Sequence, residues 1–182
     1  MKVTIENLTT ACKVGGNLDL DSIGRALGEG AVQRFGSGLR FRPSPDSEIY
    51  IFMLGDGNVK IFGPSSMDAS SKVLKSLLSL PEMTPFSLKV MEPLRIQEVI
   101  ASADMGRKLD PKKVYEEFKA EGIVVDPSEL PGFILRIGNS NVEVLIFPEG
   151  KLVSRGADNI MDAVSTLKLV ESRLGPGMGH AV

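Results

Sequence analysis

The chain has 182 residues, 42% of them hydrophobic and 24% charged, with a formal net charge of −2 at neutral pH. That balance excludes nucleic-acid binding by bulk positive charge, so any such surface has to be local. No apolar run is long enough to cross a membrane, Met1 leads directly into a strand-like stretch with no signal peptide, and the lone Cys12 allows no internal disulfide, so a cytoplasmic location is expected.

Val3 to Val14 reads as a strand ended by Gly15-Gly16. Leu20, Ile23 and Leu27 at helical spacing predict a helix over 18–27, with Asp19 or Asp21 as its cap. Residues 35–42 predict one strand, and 43–46 a turn. Glu48 to Pro64 reads as a hairpin: Glu48, Tyr50 and Phe52 share a face, Gly55-Asp56-Gly57 turns, and Asn58, Lys60 and Phe62 return. Ser65-Ser66 cap a helix to about Leu80, with Val73, Leu74, Leu77 and Leu78 as its apolar stripe. Residues 80–86 form a connector, after which the same order returns. The second pass predicts a strand over 88–103, a helix over 110–120, a loop over 126–131 and a strand over 132–137. A hairpin over 142–157 follows, then a helix over 158–174 with Ile160, Met161, Val164, Leu167 and Val170 buried. Leu174 to Val182 is expected to fray, and His180 within it has no assigned role.

The hairpin Val142 to Ala157 has one wholly apolar face, Val142, Val144 and Ile146, which must lie on a core. Its other face mixes Glu143, Leu145, Phe147, Lys151, Val153 and Arg155, a composition suited to a working surface. Landmarks recur at about half the chain length. Asn7 answers Glu98 and Leu18-Asp19 answers Leu109-Asp110 at an offset of 91, while Phe35 answers Leu130 and Phe52 answers Phe147 at 95. Gly63 answers Gly156 at 93, and the first hairpin turn reads as two residues longer than the second. Such a period marks an internal duplication. The expected organisation is a repeat over 1–84, a repeat over 85–175 and a flexible tail over 176–182. Sequential antiparallel strands with helices on one side predict an α+β fold, two pseudo-symmetric repeats forming one curved antiparallel sheet with an open face.

IQEVIASADMG, DPSELPGFILRI and VEVLIFPEGKLVSRGA resemble, in that order, the "IQN-V-S-D" strand, "EPELFPGLIYRM" loop and strand, and "VLLIF-SGK-V-TGAK" hairpin of the TATA-box-binding protein family. The first half keeps IENL, the Phe35/Phe52 spacing and a hairpin ending in glycine. The resemblance covers nearly the whole chain and points to a divergent archaeal homologue. It implies a saddle with helices on the convex side, laid into the minor groove of promoter DNA. It also implies bending by apolar wedges, of which this family is itself a standard example, and recruitment of a factor-B-like partner. Carried over residue by residue, the wedges fall on Phe35, Phe52, Leu130 and Phe147, with Pro131 beside Leu130. Groove contacts fall on Asn7, Thr9, Glu98, Ile100, Leu145 and Val153, with Lys60, Phe62 and Arg155 on the same face. Arg136 and Lys151 match positions that meet phosphates, and Arg34, Arg40 and Arg42 add positive charge. Asp126, Pro127 and Glu129 occupy the loop the family presents to factor B, with Glu129 in place of a leucine.

Glu98 stands where the family has an asparagine, and Glu48 and Glu143 add carboxylates to a face meant for an A·T groove that offers only acceptors. Glu143 and Arg155 should sit directly opposite, which suits either a cross-strand ion pair worth about 0.2–1 kcal/mol or a role in reading DNA. The rival reading is a homologue that has lost TATA recognition and serves as a protein-interaction or regulatory module. No cofactor, metal-ligand cluster, small-molecule substrate or nucleophile–histidine arrangement is implied, so an enzyme is not expected. A nucleoid association, or a nuclear one in a eukaryote, follows from the resemblance.

Overall fold

The computed structural model describes residues 1–28, 30–121, 124–125, 132–137 and 140–175. The chain forms two compact units, the first Asn7–Gln97 and the second Met1–Glu6 with Glu98–Val182. Strands β1 (Val3–Lys13) and β6 (Glu92–Asp104) therefore each supply residues to both.

In the first unit, α1 (Leu20–Leu27) follows β1, then β2 (Val32–Phe35), β3 (Gly38–Phe41), β4 (Tyr50–Leu54), β5 (Asn58–Phe62) and α2 (Met67–Leu78), with a 3₁₀ turn at Pro81–Phe86. The strands run in the order β2-β3-β4-β5-β1, every pair antiparallel. Both helices start where polar side chains satisfy orphan amides. Asp19 accepts from the N–H groups of Asp21 at 3.1 Å and Ser22 at 3.0 Å, and Ser66 from Ala69 at 3.1 Å. Ile51 faces Ile61 and Met53 faces Val59 across β4 and β5, all buried in one cluster with Ile23, Leu39, Leu74 and Leu77. Cys12 belongs to this cluster, and burial pushes its thiol up to about 11, so it packs as a small hydrophobe.

The single strand expected over 35–42 is instead the end of a hairpin. Phe35 pairs with Gly38 around Gly36-Ser37, and Gly36 adopts φ +56°, a conformation that favours glycine. The expected strand from 88 begins at Glu92, although Lys89 and Met91 already donate to the carbonyls of Val14 and Lys13.

The second unit carries α3 (Pro111–Phe118), β7 (Val124–Val125), β8 (Phe133–Arg136), β9 (Glu143–Ile146), β10 (Lys151–Ala157) and α4 (Ile160–Arg173), with strand order β6-β10-β9-β8-β7. Val142, Val144 and Ile146 are buried, as their alternation requires. Asn159 caps α4 through the Asp162 N–H at 2.8 Å. Of the expected stripe of α4, Leu167 and Val170 are buried, and Ala163 and Leu174 take the places expected of Ile160, Met161 and Val164. Met161 is 76% exposed: it stands in the first turn, off the line drawn by positions three and four apart. Leu174, expected in a frayed tail, is fully buried, and Arg107 donates to the carbonyls of Leu174 at 2.6 Å and Gly175 at 2.5 Å. These bonds satisfy carbonyls left open at the helix end. The tail over 176–182 lies outside the described residues.

The two hairpin turns share one construction. Gly57 donates to Leu54 O at 3.0 Å and Gly150 to Phe147 O at 2.9 Å, while Val14 and Met105 donate to the carbonyls of Gly57 and Gly150. Both glycines have positive φ, +85° and +98°. A Cβ at Gly57 would sit 1.9 Å from Gly15 O, and one at Gly150 2.0 Å from Arg107 O, both backbone atoms that cannot swing aside. Gly57→Ala and Gly150→Ala should each cost about 3 kcal/mol or more in urea unfolding. Gly16→Ala, with nothing within 4 Å of its added methyl, should stay within about 0.5 kcal/mol; equal effects at all three would refute the steric account.

Candidate nucleic-acid interface

Burying Ile51, Met53, Val59 and Ile61 forces the alternate residues of β4 and β5 onto the opposite face. Register places Tyr50 beside Phe62 and Thr9, and Arg40, Phe52, Lys60 and Ala11 in the adjoining row. Asn7 continues the β1 line beyond Thr9. Its Oδ1 accepts the Gly63 N–H at 2.9 Å, which orients the amide and its NH₂ donors. Gly63, at φ +106°, is the extra residue of a bulge: Thr9 pairs with Phe62, but Leu8 donates to Pro64 O at 2.7 Å. Phe35 is 64% exposed at the β2–β3 turn and meets the Phe52 ring edge-on, centroids 6.2 Å apart.

In the second unit the same face carries Ile134, Leu145, Val153 and Ser102 in one row and Arg136, Glu143 and Arg155 in the next. Alternation along β6 adds Ile100 and Glu98 to the face, and Lys151 and Phe147 stand at its hairpin end, where Phe147 N–H donates to Lys151 O at 2.9 Å. Ser102 gives its hydroxyl to Glu6. The half-buried Glu98 carboxylate has no hydrogen-bond or ion-pair partner among the described residues, and Gly156, the bulge glycine here, is not tied to it as Gly63 is to Asn7. Leu130, Pro131, Asp126, Pro127 and Glu129 lie outside the described residues.

Register corrects one equivalence. The turns Leu54–Gly57 and Phe147–Gly150 have the same length and the same hydrogen bond, so the first is not two residues longer. Aligning them gives an offset of 93 along the hairpins, the Gly63–Gly156 value. Leu54, and not Phe52, is thus the counterpart of Phe147, and Phe52 answers Leu145. Tyr50 answers Glu143, and Phe62 answers Arg155. The signal was present in the paired turn glycines and was masked by matching phenylalanines. Leu54 and Ile134 are among the face residues that sequence reasoning did not name.

The carboxylate of Glu143 is shared by two arginines. Arg136 Nε donates to Oε1 at 2.6 Å and Arg155 Nε to Oε2 at 2.7 Å, so the expected cross-strand pair exists and a third member joins it. These guanidinium hydrogen bonds, that of Arg136 first, hold the Glu143 carboxyl below its ordinary value of 4.5. With its side chain only 13% exposed, Glu143 anchors the row, and the row as a whole is left with one net positive charge. A carboxyl whose folded pKa is depressed stabilises the fold above its unfolded pKa and ceases to do so as pH falls through the folded value. Glu143→Gln should therefore cost about 1 kcal/mol near neutral pH, kept small by the exposure of both arginines. The difference from the parent should shrink as pH drops below about 4.5; a difference that stays constant down to pH 2 would exclude this source of stability.

A family model described as "Transcription factor TFIID (or TATA-binding protein, TBP)" matches residues 93–174. TATA-box-binding protein E of Halobacterium salinarum is 30% identical over 178 residues, covering 94% of this chain and 92% of that protein. The TATA-box-binding protein of Archaeoglobus fulgidus is 26% identical over 175 residues, 95% of this chain and 94% of its own. Among solved structures, Methanococcus jannaschii TBP superposes with a TM-score of 0.81 at 25% identity, covering 96% of this chain and 98% of that one. The expected fold class is thereby the fold of the chain. Likeness in sequence along almost its whole length, and in structure as well, leaves one assignment: the chain belongs to the TATA-box-binding protein family.

Proposed function

We propose that this protein is a transcription initiation factor that binds TATA-like promoter DNA through the minor groove, bends it and recruits a factor-B-like partner. The observation that carries the reading is Phe35, a phenylalanine 64% exposed at a hairpin tip and braced only edge-on by Phe52. A large apolar side chain held in solvent has no use in the core and suits insertion between base steps. Leu54 stands beside it through Gly38, and Phe147 takes the corresponding place in the second unit. Asn7 supports the reading: Gly63 engages its oxygen and orients the amide, whose NH₂ donors match the acceptors of an A·T groove. Thr9, Ile100, Leu145 and Val153 complete the groove contacts, with Lys151 toward phosphates and Arg136 held by Glu143. Leu130 and the loop of Asp126, Pro127 and Glu129 enter on family likeness alone. The reading assigns the protein no catalysis, and no helix among the described residues is long and apolar enough to cross a membrane.

The rival reading, a module that has lost TATA recognition, rests on Glu98, an acceptor-only carboxylate where a donor is needed. Gel shifts of a TATA duplex against a shuffled G·C-rich duplex, with and without factor B, decide between them. We expect weak, salt-sensitive TATA binding that factor B supershifts, and no selectivity for TATA would favour the rival. Glu98→Asn should tighten TATA binding about tenfold, about 1.4 kcal/mol. Phe35→Ala and Phe147→Ala should abolish bending, read by energy transfer across a doubly labelled duplex, and lower stability by less than about 1 kcal/mol. A loss of about 3–5 kcal/mol would place these rings in the core instead.

A further inference from the structure

The open face of the first unit holds a stack of rings beside a cation, a feature that groove contact with a paired duplex does not explain. The rings of Tyr50 and Phe62 stack with centroids 4.5 Å apart and planes 12° from parallel, and the Arg40 guanidinium lies 4.5 Å from the Tyr50 centroid. These groups, with Phe35, Phe52 and Lys60, line an open cavity of about 350 Å³. The cavity exists because Phe52 folds back onto Gly38: a Cβ there would meet Phe52 Cζ at 2.5 Å and Cε2 at 2.8 Å. Only a glycine lets the ring lie against the β3 backbone and keeps it out of the space beside Tyr50.

The cations in this cavity lack acceptors. Arg40 Nε is buried without a hydrogen-bond partner, and neither Arg40 nor Lys60 forms an ion pair or hydrogen bond among the described residues. Aromatic walls ask for a ligand with a free π-face, and unpaired cations for one with an anion a few ångströms from that face. An unstacked nucleobase with its phosphate has both. A paired duplex does not, because its base faces are covered by neighbouring base pairs and the groove exposes edges alone. In the second unit the equivalent rows hold Ile134, Leu145 and Val153, and Arg136 and Arg155 are committed to Glu143. Among the described residues the arrangement is confined to the first unit.

We propose that the first unit's open face is a binding site for single-stranded DNA, with one unstacked base lodged among Phe35, Tyr50 and Phe62 and its flanking phosphates on Arg40 and Lys60. The site rests on the same open face as the duplex reading but requires neither bending nor the second unit. The chain has two tyrosines, so Tyr115→Phe leaves Tyr50 as the only one. The full chain with that substitution should quench its tyrosine fluorescence saturably on titration with a dT12 single strand, in step with the anisotropy of the labelled strand. Adding Gly38→Ala, which drives Phe52 into the cavity, should weaken dT12 binding at least tenfold, and Arg40→Gln with Lys60→Gln should do the same should the first variant not fold. A rise in anisotropy with no change in Tyr50 fluorescence would mean charge alone and overturn the proposal, as would no rise at all. Free thymidine monophosphate binding as tightly as dT12 would overturn the strand as ligand. A failed TATA gel shift with the Tyr50 signal intact would sink only the duplex reading, and the converse only this one.

Discussion

Everything on the open faces depends on which residues of the two hairpins are buried. Ile51 against Ile61 and Met53 against Val59 must leave water, each large side chain contributing about 1.5–3 kcal/mol on burial, and a strand has only two faces. A slip of one residue would bury Phe52 and Lys60 and expose Ile51 and Ile61. The second hairpin is held in the same way by Val144, Ile146 and Leu152. Turn glycines then fix the register at one end and bulge glycines at the other, where Gly63 and Gly156 bend the returning strand out of line. The functional surface is what remains after these constraints are met.

On that shared frame the two units have diverged in chemistry. The row that is an aromatic stack in the first, Tyr50 on Phe62, is an Arg–Glu–Arg row in the second. Stacking is short-ranged and insensitive to salt, whereas a charged row weakens as salt screens it. Each face therefore offers a ligand a different kind of force. Asn7 and Glu98 add to the asymmetry, one an amide with its oxygen engaged and the other a carboxylate without a partner among the described residues.

The order of elements, the duplication and the inward faces were readable in the sequence because period-two alternation and helix caps are local. What escaped needed geometry. The hairpin at Gly36-Ser37 was hidden because two residues are enough to reverse a strand when one is a glycine at positive φ. Ile160 and Met161 looked like core because hydrophobicity alone does not give the phase of a helix. Asn159 and the stripe through Leu174 do. Phe52 was matched to Phe147 by identity, while the backbone matches Leu54 to it; conserved chemistry and conserved position had parted. The pairing of Glu143 with Arg155 was legible from register, but Arg136 was not, because it arrives from a third strand.

The partition of β1 bears on how the chain acquires its structure during synthesis. The first unit draws on one uninterrupted stretch, Asn7–Gln97, and all of its partners have been made once residue 97 has emerged. The second needs Met1–Glu6 as well as Glu98 onward, so residues made well before the rest of that unit are among the last to find their contacts. Ser102 and Glu171, which bind Glu6 and the Met1 amino group, are close to one hundred residues or more downstream of them. Closing so long a loop is slow compared with pairing neighbours. Until then the leading half of β1 is an unpaired strand, the kind of edge that invites association with another chain.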